Sequence, residues 1–160
     1  MSYSISPLTP ENAQKIIDWR YDPPYDLYDL APEHLPGLLN SDLRYHQVLD
    51  QSGEPVGFFC FGEDARVPGG EYDMGEPGVL DIGVGLKPEL TGKGLGKDFV
   101  RAVLDFARVS HQPEIFRVTV AEFNQRSQKT FLGLGFSVCS CFTGELVDLK
   151  YTQLERNQNE

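Results

Sequence analysis

Apolar residues recur every three to four positions in several stretches of the chain, which is the spacing of one face of a helix. The longest such stretch holds Leu95, Phe99 and Phe106 on one face. Thr9 and Pro10 precede another stretch in the pattern of a helix start, because a threonine hydroxyl can accept from first-turn amides and proline has no amide to satisfy. The spacing predicts helices over 10–19, 31–39, 94–109 and 124–132.

Short apolar runs bounded by glycine, proline and polar residues indicate β-strands. They predict strands over 45–50, 56–61, 79–86, 115–121, 136–142 and 146–154. The first two strands and the last two are expected to form hairpins, and the polar residues 155–160 are expected to fray. A helix joins the middle two strands, so these are expected to be parallel, in a right-handed crossover. The order of elements predicts a mixed α/β fold with a mostly antiparallel sheet.

The composition is that of one globular domain with an acidic surface. The chain has 160 residues, 40% of them hydrophobic, which is enough for a single domain over 1–160. Its 14 basic and 24 acidic residues give a net charge of −10, which argues against nucleic acid and anionic membranes as partners. A cationic small molecule or a basic peptide suits this charge better. No apolar run is long enough for a membrane span, and no signal peptide is apparent.

The cysteine and histidine residues indicate neither a disulfide framework nor a metal site. The three cysteines, Cys60, Cys139 and Cys141, are odd in number, so a reduced, cytoplasmic setting is predicted. Cys60 lies inside a predicted strand, where a buried structural thiol is favoured over a nucleophile. The three histidines have no metal-ligand spacing, so no metal is predicted.

Two segments are predicted to be loops. Segment 19–28 carries two adjacent prolines, which end the first helix, and its tyrosines Tyr21, Tyr25 and Tyr28 follow no regular period. These rings fit either of two roles, packing on the core or contact with a substrate. Segment 62–78 is rich in glycine and proline and is predicted to be a long surface loop.

A glycine-rich turn, Thr91-Gly-Lys-Gly-Leu-Gly96, separates predicted strand 79–86 from the longest helix. Glycines lack β-carbons, so a ligand can approach the backbone, and the amides of the first helical turn have no partner within the helix. Together with the positive end of the helix dipole, these features predict a phosphate-binding turn. The spacing fits neither a nucleotide P-loop nor a dinucleotide-binding fingerprint. A tight turn without a ligand is the alternative.

The turn resembles the acyl-CoA pyrophosphate loop, Gln/Arg-x-x-Gly-x-Gly/Ala, of the GNAT N-acetyltransferase superfamily. Further along, the segment from Asn124 to Phe136 resembles that superfamily's second signature, Asn-x-x-Ala/Ser-x-x-x-Tyr/Phe-x-x-x-Gly-Phe, through Ser127, Phe131 and Gly135. The predicted element order matches as well, so the resemblance covers nearly the whole chain.

The resemblance implies a GNAT fold, with a V-shaped splay between strands 79–86 and 115–121. Acetyl-CoA would enter this splay, and Asn124 would face its pantetheine arm or its acyl thioester. Backbone contacts to the arm are implied for Ile82, Gly83 and Val84. Contacts to the pyrophosphate are implied for the turn residues Thr91, Gly92, Lys93, Gly94, Leu95 and Gly96.

Two positions depart from the superfamily's pattern. Thr91 stands where Gln or Arg is usual, which weakens one phosphate contact and leaves the backbone amides in place. Phe131 stands where a tyrosine often protonates the departing thiolate, and a phenyl ring has no such proton. We interpret Phe131 as an aromatic wall for the cofactor arm. Water or another hydroxyl, including one of the loop tyrosines, would then supply the proton.

Acyl transfer to an amine also needs a base, because an alkylamine is protonated at neutral pH. Asp81 is the first candidate, since it is the only charge in the apolar run 79–86 and burial would strengthen it as a base. The alternative for Asp81 is an ion pair with a lysine or arginine. Glu122, just after strand 115–121, is the second candidate, and its alternative is a solvated loop carboxylate.

These observations predict an acetyl-CoA-dependent N-acetyltransferase. It would transfer the acetyl group directly to a primary amine of a small molecule or peptide, without an acyl-enzyme. A non-catalytic acyl-CoA-binding module is one alternative, and a nucleotide-binding regulator is another. The sequence leaves the oligomeric state open between a monomer and a homodimer.

Overall fold

The computed structural model describes residues 2–72 and 78–158. Its strands form one sheet in the order β1-β2-β3-β4-β5-β7-β6. The strands are Ser4–Pro7 (β1), His46–Leu49 (β2), Pro55–Phe61 (β3), Val79–Leu86 (β4), Ile115–Ala121 (β5), Ser137–Thr143 (β6) and Lys150–Asn157 (β7). The helices are Pro10–Ile17 (α1), Leu35–Leu38 (α2), Gly96–His111 (α3) and Gln125–Gly133 (α4). In this part of the chain, no helix is long and apolar enough to cross a membrane.

The mixed α/β class is confirmed. β4 and β5 are parallel and are joined through α3, whereas every other pair of neighbouring strands is antiparallel. The N-terminal strand β1 was not predicted, because it has four residues and ends in proline. The predicted fraying of 155–160 was wrong for 155–157, which belong to β7 and pair with β5. Residues 146–149 form the turn before β7 rather than its first residues.

The two faces of the sheet are covered by different helices. Phe59 lies in the main core with the buried face of α3, whose residues include Phe99 and Val103. The neighbouring Phe58 contacts Trp19, which follows α1, with ring centroids 6.1 Å apart. Because successive residues of a strand point to opposite faces, α1 and α3 lie on opposite sides of the sheet.

The parallel strands β4 and β5 separate halfway along their length. Their pairing covers Val79–Ile82 of β4 against residues 115–118 of β5 and stops there. Beyond this point β4 stays with β3, and β5 stays with β7. The result is a V-shaped gap between the carboxyl-terminal halves of the two strands, which confirms the predicted splay.

The described part of the long loop, 62–72, is tied to the centre of the sheet. Arg66 contacts the carboxylate of Asp81, and the Tyr72 hydroxyl lies 2.8 Å from the Thr119 hydroxyl on β5. The Arg117 guanidinium lies over the Tyr72 ring, with Cζ 5.1 Å from the ring centroid. Of the predicted loop 62–78, residues 73–77 lie outside the described residues.

Candidate active site

The glycine turn between β4 and α3 has the geometry of an anion-binding turn. Gly92 and Gly94 have φ of +72° and +75°, values that L-residues rarely adopt. No backbone amide from Gly92 to Asp98 donates a hydrogen bond to another described residue. These amides stand at the amino-terminal end of α3, where the helix dipole favours negative charge. The space around Gly94 is open on the side where a β-carbon would stand.

A hollow of about 360 Å³ beside this turn is lined by three cationic and two acidic side chains. The cations are Arg20, Lys93 and Arg126, and the acids are Asp22 and Glu89. The Arg126 guanidinium lies against the glycine turn, with Nη1 3.0 Å from where a β-carbon of Gly92 would be. It also lies over the Tyr25 ring, 4.0 Å from its centroid. Such a cluster suits a polyphosphate, in contrast to the chain's net charge of −10.

Sequence reasoning missed the part that Arg126 plays in this hollow. Arg126 lies in the first turn of α4, two residues after Asn124, inside the second signature. Its nearness to Gly92 depends on how α4 packs beside the start of α3, where Gly96 lies against Thr130. The sequence did offer one signal for this role, because Arg126 is a cationic residue inside the second signature.

Along the open edge of β4, backbone groups point alternately toward β3 and into the gap. The Asp81 carbonyl and the Lys87 amide bond to groups at the two ends of β3, whereas the Leu86 carbonyl accepts from Tyr21. By this alternation the backbone of Val84 points into the gap, where β5 has already diverged. The implied contacts from Ile82 and Gly83 fit less well: Ile82 still pairs with β5, and Gly83 points toward its partner on β3.

Two of the loop tyrosines close the mouth of the gap. The Tyr21 hydroxyl donates to the carbonyl of Leu86, the last residue of β4, at 2.7 Å. The Tyr28 hydroxyl accepts from the Asn124 amide, just beyond β5, at 3.2 Å. The two rings contact each other edge to face, 6.4 Å apart. The pair therefore spans from one strand of the V to the other.

The same loop packs on the residue that precedes Asn124. The rings of Tyr28 and Phe123 are stacked at 6.0 Å, and Tyr25 lies 5.8 Å from Phe123. Burial raises the pKa of both Tyr21 and Tyr28 above the usual value for a phenol. Both hydroxyls are therefore protonated at neutral pH.

The two signature positions in α4 differ in their surroundings. Asn124 caps the helix, because its side-chain oxygen accepts from the Ser127 amide at 3.1 Å, and it also donates to Tyr28. Phe131 is only 2% exposed and packs edge to face against Phe136 in the main core. The structure therefore corrects the placement of Phe131 as a cofactor contact, since its ring is enclosed by core side chains.

Asp81 is held in a buried ion-pair cluster rather than exposed to the gap. It is 3% exposed and lies in the paired half of β4, opposite Arg117. Arg117 Nε contacts Oδ1 at 2.6 Å, and Arg117 Nη2 and Arg66 Nε contact Oδ2 at 3.1 and 2.8 Å. Because both carboxylate oxygens already accept guanidinium protons, the hypothesis that Asp81 acts as the base is not supported by its geometry.

Glu122 is exposed and lies at the carboxyl-terminal end of β5, on the rim of the gap. It borders a shallow hollow with Phe123, Gln125 and Lys150, and its backbone amide donates to the Lys150 carbonyl at 2.8 Å. No ion pair holds the Glu122 carboxylate within the described residues. Of the two carboxylates considered, Glu122 is the one accessible to a substrate.

The remaining candidate groups have structural environments. Cys60 is 4% exposed, and burial raises the pKa of its thiol to about 12. His46 stacks on Phe59 at 5.2 Å, and His34 accepts from the Ala31 amide at 2.9 Å. Within residues 2–72 and 78–158, no three His, Cys, Asp or Glu side chains are grouped so as to hold a metal ion.

Comparison with known proteins identifies the family. The sequence profile of the acetyltransferase (GNAT) family matches residues 12–136, and no curated protein matches the sequence. The chain resembles a spermidine N-acetyltransferase chimera of SpeG from Vibrio cholerae and hSSAT, with a TM-score of 0.77 and 14% identity over 99% of this chain and 97% of that one. It resembles AAC(6')-Ib in complex with ribostamycin and coenzyme A, with a TM-score of 0.73 and 18% identity over 99% and 95%. It also resembles a GNAT acetyltransferase from Bacillus anthracis, with a TM-score of 0.77 and 13% identity over 100% and 97%.

The profile match, the splayed strands and the glycine turn together define an acyltransferase fold. The chain belongs to the GNAT acetyltransferase family.

Proposed function

We propose that this protein transfers an acetyl group from acetyl-CoA directly to a primary amine of a cationic small molecule. The observation that carries the proposal is the open gap between β4 and β5, which has the glycine turn and its unpaired amides at one end. An extended thioester arm fits the free edge of β4, and a diphosphate fits the turn.

The residues present fit coenzyme A at both ends of this gap. The amides of residues 92–98 and the cations Lys93 and Arg126 would hold its phosphates. The Val84 amide would bond to the arm or to the thioester carbonyl, where it would stabilise the negative charge that develops on oxygen. When bound, the cofactor supplies an activated acyl group with a thiol leaving group.

Exposed carboxylates lie on the segments that follow β5 and β6 and on the long loop. A backbone hydrogen bond from Glu122 to Lys150 joins the end of β5 to the start of β7. A second backbone hydrogen bond, from Glu145 to Pro68, joins the β6–β7 turn to the long loop. These segments carry the exposed acidic residues Glu71, Glu122, Glu145 and Asp148. Negative charge attracts a protonated amine to the gap. Spermidine and ribostamycin, which are named for the structurally similar proteins, are amines of this kind.

Glu122 is the residue we assign as general base. Its exposed carboxylate, free of ion pairs among the described residues, can take a proton from the amine directly or through one water. Binding both reactants in one gap contributes further, since correct positioning alone accounts for several kcal/mol of a bimolecular barrier.

A non-catalytic acyl-CoA-binding module remains the second candidate, and two observations favour it. Phe131 is buried where the superfamily's proton-donating tyrosine would stand, and Asp81 is committed to two arginines. Such a protein would bind acetyl-CoA through the same turn and release no thiol.

Thiol release with a panel of amines distinguishes the two functions. The panel comprises spermidine, ribostamycin and a short lysine peptide, each incubated with acetyl-CoA, and calorimetry measures acetyl-CoA binding. We expect turnover with at least one amine, and we expect Glu122→Gln to lower kcat without changing the acetyl-CoA Kd. Tight acetyl-CoA binding without turnover on any amine would establish the binding module instead.

A further inference from the structure

The proposed reaction needs a proton at sulfur. As the carbon–sulfur bond breaks, the electron pair moves to sulfur, and a thiol of ordinary pKa, about 8.5, leaves more readily when a proton reaches it. The second signature cannot supply that proton, because Phe131 has no hydroxyl and is buried in the core. The donor must come from another element that borders the gap.

Three phenols lie near the mouth of the gap, and their hydrogen bonds differ. The Tyr21 hydroxyl already donates its proton to the Leu86 carbonyl. The Tyr25 ring lies beneath Arg126, beside the phosphate turn. The Tyr28 hydroxyl accepts from Asn124, and within the described residues no acceptor takes its own proton. Of the three loop phenols, Tyr28 is thus the one with a transferable proton at the carboxyl-terminal end of β5.

We propose that Tyr28 is the catalytic residue that protonates the departing thiolate of coenzyme A. The proposal rests on the proposed function, and it places the proton donor on the α1–α2 loop instead of on α4. Asn124 fixes the phenol, because an amide that donates to the hydroxyl oxygen keeps the phenolic hydrogen on the side away from itself. The stack on Phe123 orients the ring.

The proton balance closes over one turnover. The neutral amine nitrogen attacks the thioester carbon, the N–C bond forms, and the C–S bond breaks as sulfur takes the electron pair. The Tyr28 hydroxyl then gives its proton to sulfur, and free coenzyme A leaves as the thiol. The nitrogen, which is cationic after attack, returns a proton through water to the Tyr28 phenolate. The proton that Glu122 took from the ammonium form of the amine passes to solvent, so the products are one amide, one thiol and one proton.

The surroundings of Tyr28 keep it protonated until it is needed. Burial raises the pKa of Tyr28, and the hydrogen bond from Asn124 partly offsets that rise. The titratable groups that act on it are the phenols of Tyr151 and Tyr25, which raise the pKa further. The donor is therefore in its acidic form throughout the neutral range.

Two substitutions at this position test the proposal, measured with the best amine of the panel. Tyr28→Phe is expected to lower kcat about 100-fold. The acetyl-CoA Kd by calorimetry should remain unchanged. Tyr3→Phe, which removes a phenol just before the edge strand β1, should leave kcat within about twofold. Replacing Tyr28 by 3,5-difluorotyrosine makes the phenol more acidic, so the alkaline limb of the kcat profile should move to lower pH.

Each outcome has a separate meaning. If Tyr28→Phe retains more than half of the wild-type kcat, Tyr28 is not the donor. If kcat falls but the fluorinated phenol leaves the alkaline limb in place, Tyr28 only positions other groups, and the proposal is overturned. If the wild-type protein turns over none of the amines, it is the proposed function that has failed. Circular dichroism of each variant confirms that it is folded.

Discussion

Asp81 connects two strands and a loop through its two carboxylate oxygens. It pairs with Arg117, whose side chain is 5% exposed, and with Arg66 on the long loop. Asp81→Asn removes the carboxylate in closest contact with the buried Arg117, whose ion pair with Glu155 is longer at 3.9 Å, so we expect a loss of about 3 kcal/mol of unfolding free energy. Urea denaturation followed by circular dichroism measures this loss.

An exposed ion pair provides the matched control for this substitution. Asp105 pairs with Arg108 one helical turn away, and both side chains are at least 48% exposed. Asp105→Asn should therefore change the unfolding free energy by less than about 1 kcal/mol. An Asp81→Asn protein that is as stable as the wild type, and that has a reduced kcat, would restore Asp81 as a catalytic base.

Asp81 also shows why a residue's role is harder to predict than its strand. A single charge in an apolar run indicates either a buried base or a buried ion pair, and the sequence alone did not decide between these two roles for Asp81. The partner Arg117 is 36 residues away, and only the register of β4 against β5 places it opposite. The identity of an aspartate is local information, whereas the position of its counter-ion is not.

The glycine turn belongs to the scale of elements, because its amides act together with the start of α3. Gly94→Glu puts a side chain and a negative charge into the turn. We expect acetyl-CoA affinity by calorimetry to fall at least 100-fold. The positive φ of Gly94 adds a backbone cost of about 1–2 kcal/mol, which could lower affinity indirectly by destabilising the fold.

Gly53 separates these two effects. It lies in the β2–β3 turn with φ of +85° and open space around it, so Gly53→Glu carries the same backbone cost outside the glycine turn. We expect Gly53→Glu to lose similar stability and to keep wild-type affinity for acetyl-CoA. Equal affinities for the two variants would exclude the turn as the phosphate site.

Arg126 tests whether α4 contributes to the same phosphate site. Removing a charged hydrogen-bond donor to a phosphate costs about 1.5–3 kcal/mol, so Arg126→Gln should raise the acetyl-CoA Kd about 10- to 100-fold. The loss should shrink at high salt, because salt already screens the attraction. Arg101→Gln, on the exposed face of α3, is the control and should leave the Kd unchanged. Equal dissociation constants for the two variants would remove Arg126 from the site.

Elements with a strong periodic pattern were predictable, and those defined by pairing were not. α3 was predicted over 94–109 from its apolar face, and in the structure it begins at Gly96 and ends at His111. β1 has four residues and becomes a strand because β2 lies beside it. The polar end of β7 is likewise ordered by β5. The site follows the same division: the glycine turn is local in sequence, whereas the bridge from Tyr28 to Asn124 joins residues 96 positions apart.

At the scale of the whole molecule, several phenol and thiol groups with raised pKa values make stability depend on alkaline pH. Burial raises the pKa of Tyr21, Tyr28 and Tyr45, and it raises the pKa of the Cys60 thiol to about 12. The unfolded chain ionises its cysteines at about pH 8.5 and its tyrosines at about pH 10. Above these values the folded protein binds more protons than the unfolded chain, so its unfolding free energy falls as pH rises.

Cys60 provides the quantitative test of this alkaline dependence. Its contribution is fully present below about pH 8.5 and should decline by up to about 1.4 kcal/mol per pH unit between that value and its folded-state pKa. Urea midpoints measured from pH 8 to pH 11 should therefore fall more steeply for the wild type than for Cys60→Ala. The comparison uses slopes, because the smaller side chain also leaves a cavity that lowers stability equally at every pH. Parallel slopes for the two proteins would show that the Cys60 thiol ionises as readily in the folded protein as in the unfolded chain.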